Sequence, residues 1–360
     1  MGVEEELLLV DPDTGCACGM AGAVMRADDE SSLDEELQRE QVETGTRPVT
    51  DTGELAGEVR RWREAAARAA EQEGIAVAAL ATSPLPVEPH IFPEDRYERM
   101  AARFGMLAAE QLTCGCHVHV EVSSPDEGVG VIDRVGPWLP VLRALTANSP
   151  YWQGRDTGYA SYRTEVWGRW PSAGPTELFG SAAAYDAVVA AMVDTGTVLD
   201  AGMVYFDARL NRELSTVELR VADVMLDVED VVVFAALGRA LVTTAAREWH
   251  DGVPPTVTRT EVLKLAHWQA AHTGLGGDLL DPHTAKPAPA PSALDALCAH
   301  VGDALVEAGD AELVRDGITR IRRQGTGAEL QRDTARRHDD DLRAVVTQAV
   351  ARTRGEASPG

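Results

Sequence analysis

At the start of the chain Glu4 and Glu6 alternate with Val3, Glu5 and Leu7, and the run then turns wholly apolar through Leu7-Leu8-Leu9-Val10. That pattern predicts a strand over 1–10 whose second half is buried on both faces. Asp11-Pro12-Asp13-Thr14-Gly15 is a turn signal that ends it. Leu55, Val59, Trp62, Ala66 and Ala69 recur at helical spacing over 55–73, with Gly74 as the stop. Residues 75–80 read as a short buried strand, 95–112 as a helix, 114–122 as a strand and 131–147 as a helix. Residues 148–180 are polar, rich in glycine and aromatics, and without a period, which predicts a long functional loop. A helix over 182–199 and paired strands near 203–210 and 215–223 follow. Helices are predicted over 228–249, 258–272, 293–308, 310–323 and 327–352, broken by a proline-rich stretch from Pro282 to Pro291. Strands early and in the middle, with helices throughout and dominant late, indicate an α+β fold rather than regular βαβ alternation. One domain over 1–354 is expected, with 355–360 as a frayed tail.

Composition narrows the function more than the fold. The 360 residues are 44% hydrophobic and 25% charged, an ordinary globular balance. The formal net charge of −25 argues against nucleic-acid and anionic-membrane partners, both of which need basic surfaces. There is no apolar run of about 18 residues and no basic, signal-like start, so a cytoplasmic location is expected. The five cysteines, Cys16, Cys18, Cys114, Cys116 and Cys298, are an odd number and lack C-x-x-C spacing, which predicts free thiols. A homo-oligomer is compatible with the sequence, but nothing in it fixes the oligomeric state.

Three short stretches carry chemistry. Alternation puts Glu4 and Glu6 on one strand face, where two carboxylates side by side need a cation or a proton unless they face solvent. In Cys116-His117-Val118-His119-Val120-Glu121 the two histidines share a face with Glu121, while the cysteine and valines share the other. These imidazoles are either a ligand pair or satisfied core histidines. A zinc site built from Cys114, Cys116 and one histidine is disfavoured, because the cysteines point to the opposite face. Glu218 and Arg220 share a face in Thr216-Val217-Glu218-Leu219-Arg220-Val221. They are either an ion pair, or a metal ligand beside a phosphate clamp. There is no G-x-x-x-x-G-K-[ST], no G-x-G-x-x-G after a strand and no G-x-S-x-G, so any nucleotide site belongs to neither a P-loop nor a Rossmann unit.

Together these stretches resemble the bacterial carboxylate–amine ligases of the glutamate–cysteine ligase type 2 family. The resemblance rests on Gly2-Val3-Glu4-Glu5-Glu6-Leu7, Gln41-Val42-Glu43-Thr44, His117-Val118-His119-Val120 and the run from Asn148 to Arg163. It continues through Asp207-Ala208-Arg209, Thr216–Val221 and Asp281-Pro282-His283-Thr284, all in family order. It implies a glutamine-synthetase-like antiparallel sheet forming one wall of a funnel-shaped site, and ATP with magnesium as cofactors. By the same resemblance Glu4, Glu6, Glu36, Glu43, His117 and Glu218 bind metal, with His119 facing substrate. Arg220 and Arg209 are implied to face ATP phosphates, and Arg155 and Arg163 a substrate carboxylate or phosphate. The segment between the first strand and Glu43 is compressed relative to the family, so Glu36 competes with nearby acids for its place. The partners implied are an amino acid and an amine, joined through an acyl phosphate with release of ADP and phosphate. Two rivals differ in class: a metal-dependent hydrolase built on His117 and His119, and a degenerate ligase that senses a nucleotide or amino acid.

Overall fold

The computed structural model describes residues 1–30 and 33–356. Its centre is a seven-stranded antiparallel sheet made of β1 (Gly2–Val10), β2 (Leu33–Glu35), β3 (Gln41–Gly45), β4 (Ala76–Ala78) and β5 (Gly115–Glu121), together with two later strands. A small hairpin, β6 (Tyr151–Trp152) with β7 (Arg155–Asp156), stands apart, and β8 (Ala208–Asn211) and β9 (Thr216–Asp223) complete the sheet. The spatial order is β2-β3-β1-β5-β9-β8, with β4 alongside the far end of β1. As the apolar run Leu7–Val10 requires, β1 is central. It pairs with β3 over Glu4–Leu8, with β5 over Gly2–Glu5 and with β4 over Leu8–Val10.

Helices pack around the sheet. In the first half they are α1 (Ala21–Ala27), α2 (Thr52–Gln72), α3 (Asp95–Phe104), α4 (Met106–Ala109), α5 (Pro125–Val135), α6 (Leu139–Leu145), α7 (Tyr162–Trp167) and α8 (Ala182–Asp194). Then come α9 (Val228–His250) and α10 (Thr260–Thr273), followed by the short hairpin of β10 (Asp278–Leu280) and β11 (Pro287–Pro289). The chain closes with α11 (Ala290–His300), α12 (Gly302–Ala308), α13 (Ala311–Gln324), α14 (Gly327–Arg337) and α15 (Leu342–Thr353). The largest core lies between β5, β9 and helices α5, α6 and α9, and a second joins β1 and β4 to α1, α2 and α15. Gly130 permits the approach of α5 to α9, because a Cβ there would strike the Trp249 indole. No described helix is long and apolar enough to cross a membrane.

Local chemistry explains where predicted elements end differently. The helix expected over 131–147 begins earlier, at Pro125, because Ser124 accepts the Glu127 N–H as an N-cap. Gly136-Pro137 then breaks it into α5 and α6. Gly105, at φ 54°, divides 95–112, and left-handed Asp339 and Asp340 divide 327–352 ahead of the Asp341 cap of α15. The long loop is partly regular: Gln153-Gly154, both at positive φ, turn the β6–β7 hairpin, and α7 follows. The strand expected near 203–210 starts only at Ala208, and α1, β2 and β3 are additions to the sequence reading. Of the expected tail, Gly355 and Glu356 bond back to Arg352 and Ala351, and 357–360 lie outside the described residues.

Candidate active site

The acids lie on the sheet face that α3 and α7 reach with Tyr97, Met100 and Trp167. Antiparallel register sets Glu4 opposite His117 and Glu6 opposite Glu43, and on the next strands sets His119 opposite Glu218 and Glu218 opposite Arg209. Between Cys116 and Val118 the β5–β9 register shifts by one residue, so that Arg220 and Val221 together face His117. Such a bulge re-aims a side chain, and here it sits at the arginine. The side chains converge on a cavity of about 210 Å³.

Two groups of ligand atoms form, each with all atoms within 4.8 Å of one another: Glu4, His119 and Glu218, and Glu6, Glu36 and Glu43. In the first, His119 Nε2 lies 3.1 Å from Glu4 Oε1 and 4.0 Å from Glu218 Oε1. Its Nδ1 is 3.1 Å from Thr216 Oγ1. A neutral ring that donates Nδ1–H to Thr216 turns a lone pair toward two carboxylates, an arrangement a cation between them resolves. Glu218 is buried, which raises its carboxyl, yet Arg220 and then Arg209 bring it down to about 2. Arg209 Nε holds Oε2 at 2.8 Å, and Arg220 Nη1 is against Oε1. Glu4 is likewise held well below the usual carboxylate range, against its burial, by the imidazoles of His117 and His119 beside it.

In the second group burial and like charge outweigh the nearby Arg163 and Arg220, which draw Glu6 down. Burial, and then the charge of Glu36, push Glu6 up to about 7, and the same two causes drive Glu43 well above the usual range. Glu6 does accept the Gly115 N–H. The all-oxygen set of Glu6, Glu36 and Glu43 suits a hard cation such as magnesium, while the first group joins an imidazole to two carboxylates. Among the described residues neither group includes a cysteine. Cys114 and Cys116 are fully buried in the packed cores, as the alternation predicted, which removes the cysteine-based zinc site.

The remaining sequence candidates separate. His117 lines the cavity, with its Nδ1 3.6 Å from Glu4 and 3.7 Å from Glu218. Burial and the nearby Arg220 push it down to about 4, so it is neutral at ordinary pH. It is thus His119, and not His117, that joins the three-residue ligand group, whereas the assignment above gave the metal to His117. Glu36 does complete the other group. Arg209 and Arg220 line the cavity. Arg163 does not: it is buried, packs its guanidinium on Gly115 where a Cβ would collide, and lies over the Trp167 ring at 5.6 Å. Arg155 is exposed on β7 and does not line the cavity either. Four aromatic residues, Tyr97, Trp167, Trp170 and Tyr205, wall the cavity together with Gln41 and Gln111, and the sequence reading named none of them. Trp167 and Trp170 come from the loop over 148–180, which has no period, so no spacing signal marks them.

The loop that brings Trp167 here is fixed from β9. Buried Asp223 accepts the Asn148 N–H at 2.8 Å, the Ser149 hydroxyl at 2.7 Å and the Ser161 hydroxyl at 2.8 Å.

The chain superposes on a Francisella tularensis glutamate–cysteine ligase, solved in complex with AMP, with TM-score 0.71 at 13% identity, over 98% of this chain and 88% of that one. A bifunctional glutathione synthetase from Pasteurella multocida matches with TM-score 0.68 at 16% identity, over 98% of this chain and 52% of that one. The chain belongs to glutamate–cysteine ligase family 2, whose sequence model matches residues 1–348. It is 52% identical over 360 residues to a Streptomyces avermitilis protein provisionally named glutamate–cysteine ligase 2-1, covering 99% of each chain. It is 54% identical over 358 residues to a Streptomyces coelicolor protein provisionally named glutamate–cysteine ligase 2, covering 98% of each. It is therefore an enzyme of the C–N bond-forming ligase class, similar to the glutamate–cysteine ligases.

Proposed function

We propose that residues 1–354 form one catalytic unit that uses ATP to join the side-chain carboxylate of glutamate to an amine, with cysteine the first acceptor to test. The observation that carries this reading is the pair of acid groups on one sheet face, with Glu4, Glu6, Glu36 and Glu43 lining one cavity together with Arg209 and Arg220. In this reading Glu4, His119 and Glu218 hold one magnesium ion, and Glu6, Glu36 and Glu43 hold another. Bound magnesium would neutralise phosphate charge and orient the reacting oxygens. The AMP in the Francisella ligase structure supports a nucleotide site in this fold.

A carboxylate oxygen of the acid attacks the γ-phosphorus of ATP, forming an O–P bond while the bond to the β,γ-bridging oxygen breaks and ADP leaves. The amine nitrogen then attacks the acyl carbon, the C–O bond to phosphate breaks, and the amine loses a proton. Arg220, with a planar fork already in the cavity, stabilises charge on the transferring group. Arg209 holds Glu218 in place and faces the same phosphates. His117, neutral and cavity-lining, can hydrogen-bond a substrate without bringing a charge. No protein nucleophile is required, which agrees with the burial of Cys114 and Cys116.

Incubation with glutamate, ATP, magnesium and a panel of amines, followed by mass spectrometry, tests the reading. A γ-glutamyl amide formed with equal ADP and phosphate is expected. Release of AMP and pyrophosphate, or full turnover in excess EDTA, would remove the acyl-phosphate route.

A further inference from the structure

Trp167 ends α7, where Gly168 caps the helix, and its indole stands beside two guanidiniums. The Arg163 Cζ lies 5.6 Å from the ring centroid and the Arg220 Cζ 5.8 Å, both near enough for a cation to be drawn to the ring face. Tyr205 packs tilted against the same ring, with centroids 4.8 Å apart and planes at 54°. The loop that carries the indole is tied by Ser149 and Ser161 to Asp223, three residues beyond Arg220 on β9. One strand therefore bears both the arginine and the anchor of the indole that meets it.

The two guanidiniums use the indole differently. Arg163 is 2% exposed, its Nε has no hydrogen-bond partner, and it makes no ion pair among the described residues. A cation buried in that way is costly, and the electron-rich face of Trp167 lowers the cost. Arg220 has a carboxylate within reach, and a guanidinium beside a carboxylate commonly binds it with both prongs. Here Arg209 already occupies Glu218 Oε2, through Nε at 2.8 Å and Nη2 at 2.7 Å, so Arg220 takes Oε1 alone, through Nη1. Its Nε is left without a partner. A guanidinium tied at one nitrogen is free to turn about that bond, and a flat ring against its face removes the freedom. We infer that Trp167 is a positioning residue for Arg220: its indole sets the plane of that guanidinium in the acid-lined cavity, while Arg163 and Tyr205 hold the indole. The use of Arg220 on a transferring phosphoryl group rests on the ligase reading above, whereas the positioning does not.

Two substitutions separate the ring face from mere bulk: Trp167→Phe keeps a face, and Trp167→Leu fills space without one. Nitrogen-15 NMR of the arginine Nε–H groups reads the geometry in the full chain without nucleotide or metal, the Arg220 signal being the one lost in Arg220→Lys. The ring current should hold the wild-type Arg220 proton upfield; Trp167→Phe should keep most of that displacement and Trp167→Leu should abolish it. Kinetics reads the consequence. Trp167→Leu should lower kcat by about tenfold to thirtyfold, the scale of a desolvated cation–π contact, and Trp167→Phe should recover most of it. The KM for ATP should stay within about twofold, because a plane set for the transition state leaves ground-state binding alone. In an Arg220→Lys background Trp167→Leu should cost no more than about twofold, since an ammonium has no plane to set. Equal losses in both backgrounds, or a wild-type Arg220 signal at its ordinary position, would overturn the inference. Where Trp167→Leu fails to fold, the wild-type and Trp167→Phe signals still decide. An Arg220 signal that follows the ring in a protein that makes no amide would retire the ligase reading and keep the positioning. Amide formation with an Arg220 signal indifferent to the ring would do the reverse.

Discussion

Glu5 and Glu6 are neighbours on β1, both buried, and their surroundings could hardly differ more. Glu5 faces the packed side of the sheet, where Arg63 of α2 grips both carboxylate oxygens, at 2.6 and 2.9 Å. That guanidinium also donates to the carbonyls of Met225 and Leu226. Glu6 faces the cavity and gathers with Glu36 and Glu43. The packed side has brought in the countercharge and used up its donors, whereas the cavity side has assembled like charges that only a proton or a cation can relieve. The contrast teaches that burial of a carboxylate alone does not mark function. One mark is a buried carboxylate gathered with like charges, as Glu6 is, although Glu218 in the same site keeps Arg209 and Arg220 as its countercharge.

The largest effect should come from breaking the packed side. Glu5→Leu strands the Arg63 charge and should cost about 3–5 kcal/mol of stability by urea titration, whereas Glu5→Leu/Arg63→Met should recover most of it. Equal losses in single and double variants would show that the pair is not self-contained. On the cavity side, Glu6→Gln should leave the fold intact and lower turnover by at least about a hundredfold, comparable to losing one transition-state donor. Near-normal kinetics across a magnesium titration would take Glu6 out of the site.

The smallest effect is a pH dependence that only the cavity side should show. A carboxyl raised from 4.5 to about 7 on folding favours the folded state below pH 4.5, and that contribution is lost as pH rises through 7. Glutamine cannot ionise and escapes the loss. In EDTA the stability of Glu6→Gln relative to wild type should therefore grow from pH 5 to pH 8, by about 1–3 kcal/mol. Groups common to both proteins, such as His117, drop out of the difference. A gap that stays constant over that range would mean that burial and Glu36 do not raise Glu6.

The sequence made one side of this contrast readable. Strong alternation marked β1, β5 and β9, and with them Glu4, Glu6, His119 and Glu218. It also placed Cys116 on the packed face, opposite Glu5. Strand β3 offers a single apolar residue, Val42, in five positions, so its place in the sheet was visible only through resemblance. Glu5 alternates correctly onto the packed face, but its partner Arg63 lies 58 residues on in a helix, and no local pattern links them. The same limit hid the aromatic wall, because Trp167 and Trp170 reach the cavity through a loop whose order comes from Asp223. Arg155 and Arg163 were read from that loop as substrate groups, and tertiary placement sent one to the surface and the other behind Gly115.

The anchoring of that loop also bears on how the chain is made. Asn148, Ser149 and Ser161 leave the ribosome 62 to 75 residues ahead of Asp223, the residue that holds them. At about 5–20 residues per second, that gap lasts roughly 3–15 s. Throughout it the loop between α6 and α7 has lost its principal anchor, and β5 lacks the neighbour that will cover its second edge. An exposed strand edge beside an unfastened loop is what a chaperone or a protease recognises in a nascent chain. The three bonds to Asp223 thus set a time of vulnerability as well as a place in the fold.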